Sequence, residues 1–326
     1  MAPDRPLVAV IDARTRDLPG IGAAKELARV IRVEDVPALG TRLGKVDAIF
    51  AWRFDRRRLL DALPEAPRLR WVQSNSAGVE DLASPQLAER GIVLTNAAGV
   101  FDRGLAESVL GFLLAFSGRI LEDARRGPGE WVPGRIRLLR GTTALVVGAG
   151  SIGTETGRLL AAAGLRVRGI ARTPRPAAAP FESIGGTDDL IDELGDADHV
   201  VNVLPITTAT RGMFDAAAFA AMKPGAVFVN IGRGATVDEK AMIEALRGGV
   251  IAGAALDVFE VEPLPAESPL WRMPNVLVSP HHAGDHEGWE ADVVDLFVEN
   301  LRRFIAGEPL KGVVDVGLGY APGGRV

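Results

Sequence analysis

The sequence contains no cysteine. Disulfide bonds, thiolate metal sites and cysteine nucleophiles are therefore excluded as sources of stability or of chemistry. Charge of one sign is also not in large excess, since 37 basic residues face 42 acidic ones and the net charge is −5. A chain with this balance gives no electrostatic reason to expect nucleic-acid binding.

Long apolar runs are missing as well. The apolar stretch 105–116 is too short to span a bilayer, and it contains Glu107. Near the N-terminus, charged residues flank a short apolar run, which is unlike the long apolar region of a signal peptide. We expect a soluble, cytoplasmic protein that binds neither membranes nor nucleic acid.

Short apolar runs alternate with helical patterns along the 326 residues, of which 47% are hydrophobic. The length favours two domains, and the composition is sufficient for a large core. Continuous Val, Ile and Leu runs separated by helices are typical of parallel sheets that helices cover on both faces. The predicted strands are 7–12, 46–52, 69–74, 92–96, 143–150, 165–172, 199–205, 226–232, 251–259 and 276–280.

A glycine-rich turn follows one of these strands and opens a helical pattern. Gly148, Gly150 and Gly153 have the G-x-G-x-x-G spacing of a dinucleotide site. The first glycine would make a tight turn, the second would let a pyrophosphate approach, and the third would allow close packing of helix and strand. The amides at Ser151 and Ile152 are predicted to bind phosphate oxygens. A glycine turn that only packs is the alternative interpretation.

The position of this turn divides the chain. Helical patterns at 105–116 and 287–306 lie before the glycine-rich unit and after the last predicted strand, so we interpret them as the crossings between domains. Residues 100–286 are then a dinucleotide-binding Rossmann domain, and residues 1–99 with 287–326 are the substrate (catalytic) domain. The predicted fold class is α/β, with two doubly wound parallel-sheet domains and the Rossmann domain inserted in a flavodoxin-like one.

The end of the second strand of the glycine-rich unit bears on the choice of cofactor. Proteins that prefer NAD usually have an acidic residue there, whereas this chain has Ala171, Arg172 and Thr173. A guanidinium at Arg172, assisted by the Thr173 hydroxyl and by Arg175, would pair with a 2′-phosphate. We therefore predict that NADP(H) is preferred and that NAD(H) is possible. An Arg172 that stacks on adenine or points to solvent is the alternative.

Three polar motifs follow in order. "VNIGRGATVDEKAM" contains Arg233, "AGAALDVFEVEPLP" contains Asp257 and Glu262, and "SPHHAG" contains His281. In their order, spacing and flanking residues they resemble the D-isomer-specific 2-hydroxyacid dehydrogenases, and the resemblance covers nearly the full chain. Taken singly, Arg233 could be a structural ion pair, Glu262 a surface acid and His281 a structural histidine.

The resemblance implies an enzyme that reduces a 2-oxo acid to the D-2-hydroxy acid, or catalyses the reverse. His281 is expected to be the acid and base, because the pKa of histidine lies near neutrality. Glu262 would hold its other ring nitrogen, and Arg233 would bind the substrate carboxylate and polarise the carbonyl oxygen. A non-catalytic, NAD(P)-sensing binding protein on the same scaffold is the alternative. A formate dehydrogenase would have Gln in place of Glu262.

Further positions follow from the same resemblance. "SNSAGVEDL" matches a loop whose amides receive the substrate carboxylate, which makes Ser76, Ala77 and Gly78 candidates, although Glu80 stands where the family often has Asp. Trp52 in "AWRF" resembles a tryptophan that caps the substrate in glyoxylate reductases. Plain packing at a strand end is the alternative for Trp52.

Other positions are expected to contact the cofactor. Asp257 matches a residue near the nicotinamide carboxamide, and the pairs Leu204–Pro205 and Ile231–Gly232 are expected to line the cofactor cleft, with Gly284 nearby. Related enzymes are homodimers held through the cofactor domain, and we expect a homodimer here.

Three of the four histidines lie in "VSPHHAGDHEG". Because the end of a strand is where ligands bind in doubly wound sheets, His281 is the predicted acid–base residue. His282 is expected at the cleft rim or in packing, and His286 at the border of the substrate entrance. We expect no metal site, because Glu262 is a better partner for His281 and the chemistry needs no metal.

Overall fold

The computed structural model describes residues 5–14, 17–53 and 55–322. Phe54 of the "AWRF" motif and the two ends of the predicted substrate domain, 1–4 and 323–326, lie outside the described residues. The chain divides into two compact units, one of Met1–Phe101 with Glu287–Val326 and the other of Asp102–His286. Within the described ranges, no helix has the length and apolar character that a membrane crossing requires.

The first unit contains a five-stranded parallel sheet in the order β2-β1-β3-β4-β5, which is the flavodoxin-like order. Its strands are β1 (Leu7–Asp12), β2 (Arg29–Val33), β3 (Ala48–Arg53), β4 (Trp71–Ser74) and β5 (Val93–Thr95). Its α-helices are α1 (Gly22–Leu27), α2 (Arg56–Asp61), α3 (Pro85–Glu89) and α10 (Trp289–Ala306), and 3-10 turns span Pro37–Lys45 and Leu63–Glu65.

The predicted amphipathic helix of the C-terminal part, α10, packs on this sheet. Phe297 is fully buried, stacked on Phe50 with ring centroids 4.2 Å apart and on Trp71 at 5.4 Å. Val293, Val294 and Leu301, which share the helical spacing of Phe297, are also fully buried, whereas Ile305, at the end of the same pattern, is 46% exposed. Burial of each such side chain stabilises the unit by about 1.5–3 kcal/mol.

The second unit contains a seven-stranded parallel sheet in the order β12-β11-β10-β9-β6-β7-β8. Its strands are β6 (Thr143–Val147), β7 (Arg166–Ile170), β8 (Ser183–Gly185), β9 (His199–Asn202), β10 (Val227–Asn230), β11 (Gly253–Leu256) and β12 (Val276–Val278). Its helices are α4 (Asp102–Ser117), α5 (Ile120–Ala124), α6 (Ser151–Ala162), α7 (Leu190–Leu194), α8 (Ala216–Ala221) and α9 (Glu239–Arg247), with 3-10 turns at Thr187–Asp189, Gly234–Thr236 and Pro269–Arg272.

The order of the first six strands of this unit is that of the Rossmann fold, and the seventh extends it. The predicted fold class, with two parallel α/β sheets, is confirmed. All strands of the second sheet are parallel, so their carboxyl ends share one edge. That edge carries the glycine-rich turn after β6, Arg233 after β10, Asp257 after β11 and His281 after β12.

Candidate active site

The glycine-rich turn has the backbone that its spacing predicted. Gly148 has a φ of +112°, and a Cβ on Gly153 would lie 2.1 Å from the Gly148 carbonyl oxygen, so a side chain is excluded there. A Cβ on Gly150 would meet no atom within 4 Å, so the space before α6 is open. In the described part of the chain, no side chain caps the start of α6 at Ser151. Its first amides therefore fit an anionic phosphate.

Cationic side chains lie at the end of β7. Arg172 and Thr173 are exposed there, and Arg175 donates a hydrogen bond to the carbonyl oxygen of Ala149, inside the glycine-rich turn. Sequence reasoning gave Arg175 only an assisting role. This contact places a second guanidinium beside the glycine-rich turn.

Two buried asparagines support the ends of β9 and β10. Asn202 accepts a hydrogen bond from the Leu204 amide at 3.1 Å, and Asn230 accepts one from the Gly232 amide at 3.1 Å. The two side chains also join each other, with Asn202 Nδ2 donating to Asn230 Oδ1 at 3.0 Å. Sequence reasoning missed both residues, although each ends a strand in the matching sequences "HVVN" and "VFVN".

The two glycines that flank Arg233 fix the backbone of its turn. A Cβ on Gly232 would lie 2.7 Å from the Leu204 carbonyl oxygen, and one on Gly234 would lie 1.9 Å from the Phe259 carbonyl. The backbone of the Arg233 turn is therefore in close contact with the segments that follow β9 and β11. Within the turn, Arg233 Nη1 donates to the Gly232 carbonyl oxygen at 2.7 Å.

His281 and Glu262 form a direct pair. His281 Nδ1 lies 2.7 Å from Glu262 Oε2, and the Phe259 amide donates to Glu262 Oε1 at 2.9 Å. The hydrogen bond to Glu262 raises the pKa of His281 above its ordinary value, against the effects of burial and of the Arg233 charge. Burial acts to raise the pKa of Glu262, but the hydrogen bonds from His281 and Phe259 and the Arg233 charge outweigh it, so this pKa is lowered.

The tautomer follows from this pairing. An ionised Glu262 accepts the Nδ1 proton of His281, so the Nε2 position is left to exchange a proton with a ligand. The His281 side chain is 53% exposed, which leaves it accessible.

Asp257 lies beneath the turn that carries His281. It is 2% exposed, and its Oδ1 accepts hydrogen bonds from Ser279 Oγ at 2.5 Å, from the His282 amide at 3.0 Å and from the Ala283 amide at 3.1 Å. The His281 amide donates to the Asp257 carbonyl oxygen at 2.9 Å. Asp257 was predicted to contact the nicotinamide, and sequence reasoning did not foresee that it also holds this turn.

The other two histidines of the run are placed differently. The His282 side chain is exposed while its amide bonds to Asp257. His286 Nδ1 lies 3.3 Å from the Gly284 carbonyl oxygen.

In the first unit, the loop after β4 is braced by its neighbours. The Ser76 amide donates to Ser74 Oγ at 3.2 Å, and Asn96 Nδ2 donates to the Ala77 carbonyl oxygen at 2.7 Å. The Ser76 amide is therefore already engaged, which leaves Ala77 and Gly78 as the stronger candidates for binding a ligand.

Trp52 is packed inside the first unit. It is 2% exposed, and its ring stacks on Trp289 at 5.6 Å with an interplanar angle of 3°. Phe50 meets it edge-on at 5.4 Å, and the Arg14 guanidinium lies 5.8 Å from its ring centroid. This arrangement favours the packing interpretation of Trp52.

A Rossmann-type parallel sheet, with a glycine-rich turn and a His–Glu pair at its carboxyl edge, defines the second unit as that of a nicotinamide-dependent dehydrogenase. Residues 110–283 match the family model described as "D-isomer specific 2-hydroxyacid dehydrogenase, NAD binding domain". The chain belongs to the D-isomer-specific 2-hydroxyacid dehydrogenase family, and it is an NAD(P)-dependent oxidoreductase.

Curated proteins and solved structures agree with this assignment. Glyoxylate/hydroxypyruvate reductase B of Pectobacterium carotovorum is 34% identical over 288 residues, which cover 86% of this chain and 88% of the relative. An NADPH-dependent glyoxylate/hydroxypyruvate reductase of Sinorhizobium meliloti, solved with NADP and sulfate, has a TM-score of 0.81 at 31% identity and covers 97% of this chain and 100% of its own. A family member of Xanthobacter autotrophicus, solved with NADPH and MES, has a TM-score of 0.81 at 32% identity, with coverage of 97% and 100%.

Proposed function

We propose that this protein uses NADP(H) to reduce a 2-oxo acid to the D-2-hydroxy acid, or to catalyse the reverse. The observation that carries the proposal is the pair of His281 Nδ1 and Glu262 Oε2 at 2.7 Å, whose pKa values both respond to the charge of Arg233. In this proposal the second unit is the cofactor domain and the first unit is the substrate domain.

The roles of the three residues follow from their chemistry. When bound, the reduced cofactor supplies the hydride that the carbonyl carbon receives. His281 gives the Nε2 proton to the carbonyl oxygen, and the negative charge of Glu262 keeps the imidazolium form populated beforehand. Arg233 binds the carboxylate and stabilises the negative charge that develops on the oxygen. In the oxidative direction His281 accepts the proton instead.

The preference for NADP(H) rests on the end of β7. Arg172 and Arg175 offer two guanidinium groups to a 2′-phosphate, with the Thr173 hydroxyl beside them, and a phosphate pairs well with such planar donors. Both of the solved structures described above contain NADP or NADPH, which supports the same choice.

Most of the remaining site residues are proposed for the cofactor. The glycine-rich turn and the start of α6 would hold the pyrophosphate through Gly148, Gly150, Ser151, Ile152 and Gly153. The positions proposed to contact the rest of the cofactor are Leu204, Pro205, Ile231, Gly232, Asp257 and Gly284.

In the first unit, we propose the amides of Ala77 and Gly78 as ligands for a carboxylate, since the Ser76 amide is engaged by Ser74.

The function is tested by measuring NADPH oxidation with glyoxylate, hydroxypyruvate, pyruvate, phenylpyruvate and larger 2-oxo acids. We expect turnover with at least one of them, and a lower KM for NADPH than for NADH with that substrate. An absence of turnover with the whole panel would support the cofactor-sensing alternative. Equal or better use of NADH would contradict the proposed roles of Arg172 and Arg175.

Replacement of Glu262 by glutamine should move the pH profile of reduction toward acid. Reduction needs protonated His281, so activity is lost as the pH rises through the pKa of this residue, which Glu262 raises above 6.5. Without the carboxylate, this pKa falls and activity declines at a lower pH. The measurement is kcat/KM for the best substrate between pH 6.5 and 10, and an unchanged profile would contradict the pairing.

The lower limit of that range is set by another histidine. His199 is 4% exposed, and burial lowers its pKa from 6.5 to about 4. Because the unfolded chain binds this proton more readily, the folded state loses stability as the pH falls from 6.5 toward 4. Profiles recorded above pH 6.5 therefore report on His281 without this contribution.

We also propose that the chain forms a homodimer. The segment after α5 carries exposed apolar side chains, with Trp131 93%, Ile136 62% and Leu138 66% exposed. Exposed apolar side chains clustered in one segment mark a candidate surface for association with a second copy of the chain. Light scattering of the full chain tests this proposal.

A further inference from the structure

We propose that Gly104 and Ser108 of α4 are positioning residues for His281, because they contact residues 283 and 284, at the C-terminal end of the turn that carries it. This inference rests on the proposed function, in which His281 exchanges the proton. It adds two residues from a helix that begins far from the catalytic motifs in the sequence.

The backbone of His281 needs support from its surroundings. Its φ is +51°, in the left-handed region that residues other than glycine adopt rarely. Such a conformation persists where neighbouring contacts determine it, and these positions are often functional. In this conformation Nδ1 lies 2.7 Å from Glu262 Oε2.

Asp257 and Ser279 hold the first half of the turn. The His281, His282 and Ala283 amides bond to Asp257, and Ser279 Oγ donates to Asp257 Oδ1 at 2.5 Å. These contacts lie within or beside the strand ends of the sheet. They do not by themselves fix the segment beyond residue 283.

Helix α4 holds the second half. Ser108 Oγ donates to the Ala283 carbonyl oxygen at 2.8 Å. One turn earlier on the same helix, a Cβ on Gly104 would lie 3.0 Å from the Gly284 carbonyl oxygen, with further backbone atoms at 3.5 and 3.6 Å. Residues four apart share a helix face, so glycine permits the close approach and serine supplies the hydrogen bond.

The same helix also touches the proposed phosphate site. Asp102, at the start of α4, accepts a hydrogen bond from the Ser151 hydroxyl at the first turn of α6. Arg103 Nη1 lies 3.2 Å from Glu155 Oε1 of α6. One helix therefore contacts both the place where the cofactor phosphates would bind and the turn of the proton donor. Contact with both regions would help to keep a bound cofactor and His281 in register, and catalysis is sensitive to shifts of about 1 Å.

The test is the variant Gly104→Ala, with Gly111→Ala as its matched control. Both change a glycine of α4 to the better helix former, but a Cβ on Gly111 would meet no atom within 4 Å. We expect Gly104→Ala to lower kcat about tenfold or more by displacing the His281 turn, whereas Gly111→Ala keeps the kcat of the wild type. Ser108→Ala should lower kcat by a smaller factor than Gly104→Ala, because the turn loses one hydrogen bond, to the Ala283 carbonyl oxygen, but meets no steric clash.

A second readout does not depend on turnover. The pKa of His281 is measured by NMR of histidine-labelled protein, with the resonance assigned through its loss in His281→Ala. We expect this pKa to fall in Gly104→Ala and in Ser108→Ala, because a displaced ring is less well paired with Glu262. A merely structural role of α4 would lower stability without moving this pKa.

The outcomes separate this inference from the proposed function. If the wild type turns over no 2-oxo acid, the proposed function fails, but the His281 pKa still decides whether Gly104 and Ser108 position the ring. If Gly104→Ala and Ser108→Ala both retain the kcat and the His281 pKa of Gly111→Ala, the positioning role is overturned. Should Gly104→Ala fail to fold, Ser108→Ala alone decides the matter.

Discussion

Replacement of His281 by alanine is expected to lower kcat by about a thousandfold while NADPH still binds. The imidazole supplies the proton in the proposed reaction, and a positioned general acid contributes about 10²–10⁴-fold to rate. The groups proposed to bind the cofactor phosphates follow β6 and β7, and the change at the end of β12 leaves them intact. Steady-state kcat with the best 2-oxo acid and the Kd of NADPH, measured by fluorescence titration, check the two halves of this expectation.

His282→Ala is the matched control for this experiment. His282 is the next residue, and its side chain is exposed, while the bond to Asp257 comes from its backbone amide and survives the substitution. We expect His282→Ala to keep kcat within about twofold of the wild type, since an exposed side chain away from special contacts contributes little. A large loss in His282→Ala together with an active His281→Ala would contradict the assignment of the proton donor.

The central strands of both sheets could be predicted from the sequence, because parallel strands covered on both faces are continuous apolar runs. The strands β2 and β8 were missed. β2 (Arg29–Val33) contains two arginines, and most of its residues are only partly buried. β8 (Ser183–Gly185) has only three residues. Both lie at sheet edges, where one side of the strand has no neighbour and the apolar signal is weak.

Several predicted strands are longer than the observed ones. The run 143–150 was predicted to be extended throughout, whereas β6 ends at Val147. Gly148 turns the chain with its positive φ, so the strand cannot continue into the glycine-rich segment. Similarly, β9 ends at Asn202, whose side chain turns back to accept the Leu204 amide.

Among the site residues too, those in local sequence motifs could be predicted, whereas those that act through contacts distant in the sequence could not. His281, Glu262 and Arg233 were predicted because each stands in a motif with recognisable flanking residues. Ser108 and the Ala283 carbonyl are 175 residues apart, and a serine in an apolar helix is not by itself a signal. Its hydrogen-bond partner is a backbone carbonyl, which the amino-acid type at position 283 does not reveal.

Replacement of Arg233 by lysine is expected to lower kcat/KM by about a hundredfold. Lysine keeps the positive charge, so the electrostatic effect of position 233 on His281 and Glu262 is largely retained. It lacks the planar fork of donors that matches a carboxylate, and removal of one donor aimed at a developing oxyanion costs about 10²–10³-fold in rate. The substitution therefore separates the charge of Arg233 from its geometry. The measurement is kcat and KM for the best 2-oxo acid, together with the pH profile.

Arg247→Lys is the corresponding control, because Arg247 is an exposed residue at the end of α9. We expect it to leave kcat/KM unchanged. A pH profile that stays in place in Arg233→Lys while kcat/KM falls would show that the guanidinium acts by directed hydrogen bonding. Wild-type kcat/KM in Arg233→Lys would instead mean that a point charge is sufficient. The glycines on either side of residue 233 would then be needed for the folding of the turn and not for the orientation of its side chain. Gly234 is necessary in either case, because a Cβ at this position would lie 1.9 Å from the Phe259 carbonyl. The experiment therefore tests the side chain of Arg233 and not the backbone of its turn.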